Sequence, residues 1–246
     1  MGQLRAMENA ARNLDPVELH LAGAVLTPLC EGALWWSDQR VLVVSDLHLE
    51  KGSSYAARGQ MLPPYDTDVT LGHVEALCRA LLPATVISLG DSFHDRGAEL
   101  RLSGRATARI QALTSACDWV WVEGNHDPDP PKHLGGRAAR TLSIGPLVFR
   151  HEPEGEVGEV AGHLHPAAKV RGRGRSVRRR CFATDGDRLI MPALGAFTGG
   201  LNVRDAAFRS LFPDGLMAFA LGTDRVYALT DKQLIGDDKR ASAWRL

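Results

Sequence analysis

Four times along this chain an apolar run stops at a cluster of groups that can bind a metal or a phosphate. Asp118-Trp-Val-Trp-Val-Glu123 ends in Gly124-Asn125-His126-Asp127, and Val41-Leu-Val-Val44 ends in Ser45-Asp46-Leu47-His48. Val86-Ile-Ser-Leu89 ends in Gly90-Asp91, and Glu159-Val-Ala161 ends in Gly162-His163-Leu164-His165. A buried strand needs apolar side chains, but nothing in packing calls for an amide, an imidazole and a carboxylate where it stops. The same feature constrains the fold. Short runs that are apolar throughout, separated by helical patterns, read as strands of a parallel sheet buried on both faces. In such sheets ligands bind outside the carboxyl ends of the strands, where neighbouring loops converge.

The rest of the chain fits this frame. Glu18 to Leu29 alternates as a strand does, through Leu19, Leu21, Ala24 and Leu26, and Ala33-Leu-Trp-Trp36 gives a second strand beyond a turn at Gly32. Asp38-Gln39 turns the chain into the strand Arg40 to Ser45. Beyond Lys51 to Gln60 and the break Leu62-Pro-Pro64, Tyr65-Asp66-Thr67 caps a helix predicted to run to about Leu82. Its stripe is Val69, Leu71, Val74, Leu77, Cys78 and Leu81. A further helix, about Leu100 to Ala116, separates the strand before Asp91 from the one carrying Trp119 and Trp121. This βαβαβ order implies parallel strands with right-handed crossovers. After about Gly135 the character changes to short strands and Gly-rich turns: Leu147 to Arg150, Val157 to Ala161, Ala167 to Val177, Leu189 to Leu194, Met217 to Ala220 and Val226 to Leu229. A mixed or antiparallel sheet packed on the first is expected. Residues 1–16 read as a loose N-terminal segment, and with no convincing linker the 246 residues are expected to form one domain.

Composition excludes more than it assigns. The 29 Lys and Arg balance the 29 Asp and Glu, so no global charge steers the chain to nucleic acid or to an anionic membrane, and local patches must carry any such claim. Cys30, Cys78, Cys117 and Cys181 form no Cys-x-x-Cys pair and read as free thiols. No apolar stretch is long enough to cross a bilayer, and the first residues lack a secretory signal, so a reduced, cytoplasmic, soluble protein is expected.

The spacing of the polar clusters matters. In extended backbone residues two apart share a face, so Asp46 with His48, or His163 with His165, can bind one metal or a close pair. Oxygen and nitrogen donors without thiolate suit manganese, iron or zinc and argue against a structural zinc site. Six of the nine histidines (His48, His94, His126, His151, His163 and His165) fall in or beside these segments. One such histidine is readily explained by packing; the set is not.

In order and spacing the four motifs resemble the calcineurin-like metallophosphoesterases over about residues 41 to 166. The resemblance implies an α/β fold, a two-sheet αββα sandwich, with a dinuclear metal site at the strand ends. It implies that Asp46, His48, Asp91 and His165 hold one ion, that Asp91 bridges, and that Asn125, His151 and His163 complete the second. His126 would stand by the scissile phosphate, oriented by Asp127. His94 reads as a phosphate ligand or a hydrogen-bond partner, and Lys51 and Arg58 as phosphate contacts or surface charge. Two divalent ions roughly 3.5–4 Å apart can share a water, lower its pKa and aim it in line at phosphorus.

A narrower resemblance concerns Asp46-Leu-His-Leu-Glu-Lys-Gly-Ser-Ser54 and Arg58 to Thr67, which is similar to bacterial metallophosphoesterases encoded beside a DNA ligase and a helicase. It implies a manganese-dependent phosphodiesterase acting as a single-strand DNA endonuclease in repair, functionally linked to that ligase and helicase. In Lys169-Val-Arg-Gly-Arg-Gly-Arg175 the cations Lys169, Arg171, Arg173 and Arg175 alternate, so on a strand they project to one side. Such a strip suits a nucleic-acid backbone, and it equally suits an edge strand guarded by charge. Trp35, Trp36, Trp119 and Trp121 read as core. Two other functions remain: a hydrolase of cyclic nucleotides, dinucleoside polyphosphates or phosphomonoesters with the same metal residues, and a scaffold that keeps the fold without catalysis. The presence of every motif residue weighs against the scaffold.

Overall fold

A computed structural model describes residues 17–237 except Met61, Pro64, 127–131 and Arg173. The expectations for residues 1–16, Asp127 and Arg173 therefore lie outside the described residues. The first sheet runs β1 (Leu19–Leu21), β2 (Ala24–Pro28), β3 (Leu34–Trp36), β4 (Val41–Val44), β5 (Thr85–Leu89), β6 (Asp118–Val122), β7 (Arg137–Ala139) in that spatial order. It is antiparallel from β1 to β4 and parallel from β4 to β7. The stretch predicted as one strand from Glu18 to Leu29 is a hairpin. Ala22 and Gly23 both take positive φ, 46° and 85°, a turn whose twist matches that of the flanking strands.

Alternation along β4 explains its unbroken apolar run. Val41 and Val43 face the second sheet, while Leu42 and Val44 face the helices. Those helices are α1 (Lys51–Ala57), α2 (Asp66–Leu81), α3 (Ala98–Arg101) and α4 (Gly104–Ala116). On α2 the residues Leu71, Val74 and Leu77 are buried as expected, whereas Val69 falls outside the stripe and is exposed. The expected cap of α2 does other work. Gly52 N–H donates to Asp66 Oδ2, and Thr67 Oγ1 accepts from Glu50 N–H and donates to its carboxylate, tying α1 to α2. The helix predicted from Leu100 breaks in two because the Ser103 hydroxyl accepts from Ala106 N–H and starts α4 afresh.

The second sheet contains β8 (Leu142–Ile144), β9 (Leu147–Arg150), β10 (Glu159–Ala161), β11 (Pro166–Arg171), β12 (Ser176–Thr184), β13 (Arg188–Ile190) and β14 (Leu201–Asn202) in the spatial order β14-β11-β12-β13-β10-β9-β8. β15 (Met217–Leu221) pairs with β12 and with β16 (Val226–Leu229). The predicted strand Ala167 to Val177 is instead the hairpin β11–β12, closed by Gly172 N–H donating to the Arg175 carbonyl. A short helix, α5 (Ala206–Leu211), covers the outer face.

Three apolar clusters hold the layers together. Leu21, Trp36 and Ile87 meet Phe149, Phe182 and Phe219 between the sheets. Leu71, Val74 and Ile110 pack on Trp119 and Trp121, and Phe208 and Phe212 pack on Cys181 and Ile190. The layers are therefore helix, sheet, sheet, helix, the mixed α/β two-sheet sandwich expected. Each large apolar side chain so buried contributes about 1.5–3 kcal/mol, enough to hold strained backbone at the strand ends. Among the described residues no helix is long and apolar enough to cross a membrane, and the four cysteines are free.

Candidate metal centre

The ends of β4, β5 and β10 carry most of the predicted site residues, and the backbone there leaves extended geometry. Asp46, His48, Asp91, His163 and His165 have φ of 52°, 44°, 45°, 65° and 45°. A left-handed conformation costs an ordinary residue about 1–2 kcal/mol, and such strain gathers at functional sites. Tertiary hydrogen bonds hold it in place: Asp46 N–H to the Gly90 carbonyl, His48 N–H to the Asp91 carbonyl, and Leu194 and Gly195 N–H to the carbonyls of Ser45 and Asp46. The pairs do meet in one site, Asp46 with His48 in a single donor group, but through left-handed rather than extended backbone. His163 and His165 do not share one partner set; they turn to opposite halves of the site.

One half is built on Asp46, which has no exposure to solvent. Its Oδ2 accepts from the Ser45 hydroxyl at 2.6 Å and from His163 N–H at 3.2 Å. Its Oδ1 lies 3.0 Å from His165 Nε2 and 3.9 Å from His151 Nδ1, yet it is buried with no hydrogen bond of acceptable geometry. Close approach without alignment is what atoms do when they aim at a common point rather than at each other. His48 Nε2 stands 3.4 Å from His165 Nε2. In the other half, His151 Nε2 is 3.4 Å from Asp91 Oδ2 and 3.3 Å from His163 Nδ1, while Asp91 Oδ1 accepts from His126 N–H at 2.9 Å.

Two groups of donors result, Asp46 with His48 and His165, and Asp46 with Asp91 and His151, each with its atoms within 4.8 Å of one another. The carboxylate common to both groups is Asp46. Asp91, expected to bridge, accepts from the His126 amide at Oδ1 and lies with Oδ2 3.4 Å from His151 Nε2. Two glycines make the room. A Cβ on Gly90 would fall 2.3 Å from His151 Nδ1, and one on Gly162 would fall 2.2 Å from Ser45 Oγ and 2.6 Å from Asp46 Oδ2.

The electrostatics suit a cation. Burial pushes Asp46 up, but contact with His165, the charge of His151 and the Ser45 hydroxyl outweigh it and hold the carboxyl below its usual range. Asp91 is likewise depressed, burial being overcome by His151 and by the His126 amide. Burial pulls His151 down, yet Asp91, Asp46 and the Leu89 carbonyl outweigh it and push it up to about 9. A proton on His151 therefore answers the two buried carboxylates. His48 goes the other way, carried by burial down to about 3 despite Asp46 and Asp91, and His163 is lowered by burial and by His151. Neutral imidazoles beside buried carboxylates, an orphaned carboxylate oxygen and space that a Cβ would fill together fit divalent cations.

The remaining predicted residues divide. Asn125 is exposed and its Nδ2 donates to Glu152, which leaves Oδ1 as the atom with which the amide can meet a cation. His126 is half exposed and its ring stacks on His94, with centroids 5.8 Å apart and planes at 13°. His94 Nδ1 is buried without a partner among the described residues, and Tyr55 packs 5.8 Å from its ring. Lys51 lies over Tyr55 and is lowered by burial, and Arg58 is exposed close enough to help lower His94, after burial, Lys51 and His126. Lys169, Arg171 and Arg175 lie outside this cluster, on β11 and its turn. Sequence reasoning missed Glu152, Ser45 as the anchor of Asp46, and Tyr55. For two of them the only signal was adjacency, Glu152 following His151 and Ser45 preceding Asp46.

Fold and site together define a phosphoesterase that works with divalent metal. The model of the family described as Calcineurin-like phosphoesterase matches residues 39–186, a span holding all four strand-end clusters, and the chain belongs to that family. Among solved structures it is similar to the Pseudomonas putida nuclease MPE, with 28% identity and a TM-score of 0.68 over 87% of this chain and 100% of that one. The phosphoesterase Yfce from E. coli matches over 78% of this chain and 98% of its own, with 15% identity and a TM-score of 0.41. No curated protein sequence matches the chain.

Proposed function

We propose that this phosphoesterase is a manganese-dependent phosphodiesterase that cuts single-stranded DNA, in repair, with two ions at its centre. The observation that carries the reading is the arrangement of imidazoles on either side of Asp46 and Asp91, with His48 near His165 on one side and His151 near His163 on the other. In this reading Asp46, His48, Asp91 and His165 would hold one ion, and Asn125, His151 and His163, together with Asp91, would hold the other. Carboxylate, amide and imidazole donors without thiolate suit manganese, as they suit iron or zinc, and the likeness of segment 46–67 to manganese-dependent enzymes is what supports manganese among them. Bound there, the ions supply Lewis acidity toward the phosphate oxygens and lower the pKa of a water.

The chain's own groups do the rest. His126 offers an accessible imidazole that can hand a proton to the leaving oxygen, with Asp127 as its orienting partner, while its amide fixes Asp91. His94, Lys51 and Arg58 line the approach and hold the non-bridging oxygens as their charge grows. The likeness to a nuclease along that protein's whole length supports a nucleic acid as substrate. The likeness of segment 46–67 to ligase- and helicase-linked enzymes supports a functional link to such partners. The test is incubation of the purified protein with circular single-stranded DNA, with and without manganese. Linear products that require manganese are expected. An intact circle beside rapid hydrolysis of bis-p-nitrophenyl phosphate returns the assignment to small-molecule phosphodiesters.

A further inference from the structure

β11 leaves the metal centre at His165 and runs out into a basic hairpin. Between Pro166 and Thr184 the sequence holds no acid, although the chain as a whole is neutral. The register of β11 with β12 sets Lys169 opposite Arg178, Ala167 opposite Arg180 and Arg171 opposite Ser176, so these side chains share one face. Cations standing directly opposite cations destabilise a sheet. Asp237 stands 3.6 Å from Lys169 Nζ and 3.8 Å from Arg178 Nε. Arg171 and Arg175 are exposed and form no ion pair among the described residues.

Guarding a bare edge does not explain the charge of β11. β14 pairs with β11 at Pro166 and Ala167, Val170 bridges to Leu234, and Ile235 N–H donates to the Lys169 carbonyl, so the outer edge of β11 is occupied along most of its length. The face is also continuous with the rim of the metal centre. Arg180 donates to the carbonyls of Ala193 and Leu194, in the segment hydrogen-bonded to Ser45 and Asp46. Arg178 donates to the Gly200 carbonyl, one residue before Leu201, whose N–H is bonded to the His165 carbonyl. At the far end Lys169, Arg171, Arg175, Ser176 and Ile235 line an open cavity of about 380 Å³. The six residues of β11 set it about 20 Å from the site at about 3.3 Å per residue.

We propose that this groove binds the phosphate backbone of a single-stranded substrate, several nucleotides away from the bond that is cut. The proposal rests on the nuclease reading above and adds a second contact region to it. Its consequence is a length dependence. A strand long enough to reach from the metal centre to Arg171 and Arg175 gains charge contacts that a short diester never makes, and those contacts weaken with salt.

The experiment compares the full-length protein with its R171E/R175E variant on a 30-nucleotide single strand and on bis-p-nitrophenyl phosphate, with thermal melting as the control for folding. The ratio of kcat/KM on the strand to kcat/KM on the small diester is expected to fall at least tenfold, mainly through KM. The slope of strand affinity against salt is expected to become shallower by about 2. An R171K/R175K variant is expected to keep most of the ratio, since backbone contact asks for charge more than for a guanidinium fork. A ratio that does not move while the strand is still cut overturns the groove and spares the nuclease reading. A wild-type protein that hydrolyses the small diester and neither binds nor cuts the strand overturns both. Loss of binding to vesicles containing phosphatidylserine, with strand kinetics unchanged, assigns the hairpin to a membrane surface and overturns the proposal as well.

Discussion

The metal rim and the basic hairpin both gather charge, by opposite means. At the rim, Asp46, His48 and Asp91 are buried, their backbones are left-handed, and backbone N–H groups fix individual oxygens. At the hairpin, Arg171 and Arg175 are exposed on long flexible side chains and rest on ordinary strand and turn backbone. The difference teaches what each region can do. Chemistry at phosphorus needs atoms placed to a fraction of an ångström, and the rim accepts strain and desolvation to place them. Holding a polyanion needs only charge at roughly the right height, and adaptable side chains supply that.

Substitutions sharpen this contrast, beginning at the rim. Asp91→Ala removes a buried carboxylate facing His151 and is expected to lose metal and activity together, about a thousandfold or more in turnover. His126→Ala is expected to lower turnover about a hundredfold with the metal still bound. Metal analysis of both proteins beside their kinetics checks the pair, and equal metal loss in each breaks the division of roles.

Glu152 gives a finer test. As acceptor for Asn125 Nδ2, its carboxylate sets which way the amide points. Glu152→Ala removes the acceptor and frees the amide to turn, so manganese affinity by calorimetry is expected to fall about 10- to 100-fold, while Glu152→Gln, whose Oε1 can still accept, is expected to keep most of it. An unchanged affinity in the Ala variant removes Glu152 from the site.

The smallest effect is one of pH. In the metal-free protein His151 is raised to about 9, so its proton competes with a cation below that value. Apparent manganese affinity is expected to rise with pH up to about 9, by at most about tenfold per unit. The same proton stabilises the metal-free fold. A raised pKa contributes stability that is complete below the unfolded value of about 6.5 and is lost as pH climbs through the folded one. The melting temperature of metal-free protein is therefore expected to fall between about pH 6.5 and 9, and saturating manganese should flatten that fall. The opposite shift of His48, down to about 3, acts below about 6.5 and leaves this window alone.

Much of this was legible in the sequence because burial writes itself as pattern. The doubly buried β4 reads as a continuous apolar run, and polar clusters at strand ends mark the rim. What stayed hidden depends on backbone freedom. Left-handed φ at Asp46, His48 and Asp91 is only hinted at by residue type, Asp and His tolerating it better than most, since the tertiary hydrogen bonds that enforce it come from Gly90, Asp91 and Leu194, distant in the chain. The alternating cations of 169–175 mimicked one strand because the turn at Gly172 breaks the period without breaking the composition. The pause at Ser103 was readable as a cap and was overridden by the helical pattern around it. Glu152 has no pattern at all; its role exists only because the loop after β9 folds it against Asn125.

The central claim is that loops from β4, β5, β6, β9 and β10 enclose two cations between Asp46 and Asp91. Anomalous diffraction from a manganese-soaked crystal measures it directly. Two peaks are predicted, one beside His48 and His165 and the other beside His151 and His163. A single peak, or manganese bound anywhere away from these carboxylates, would contradict it.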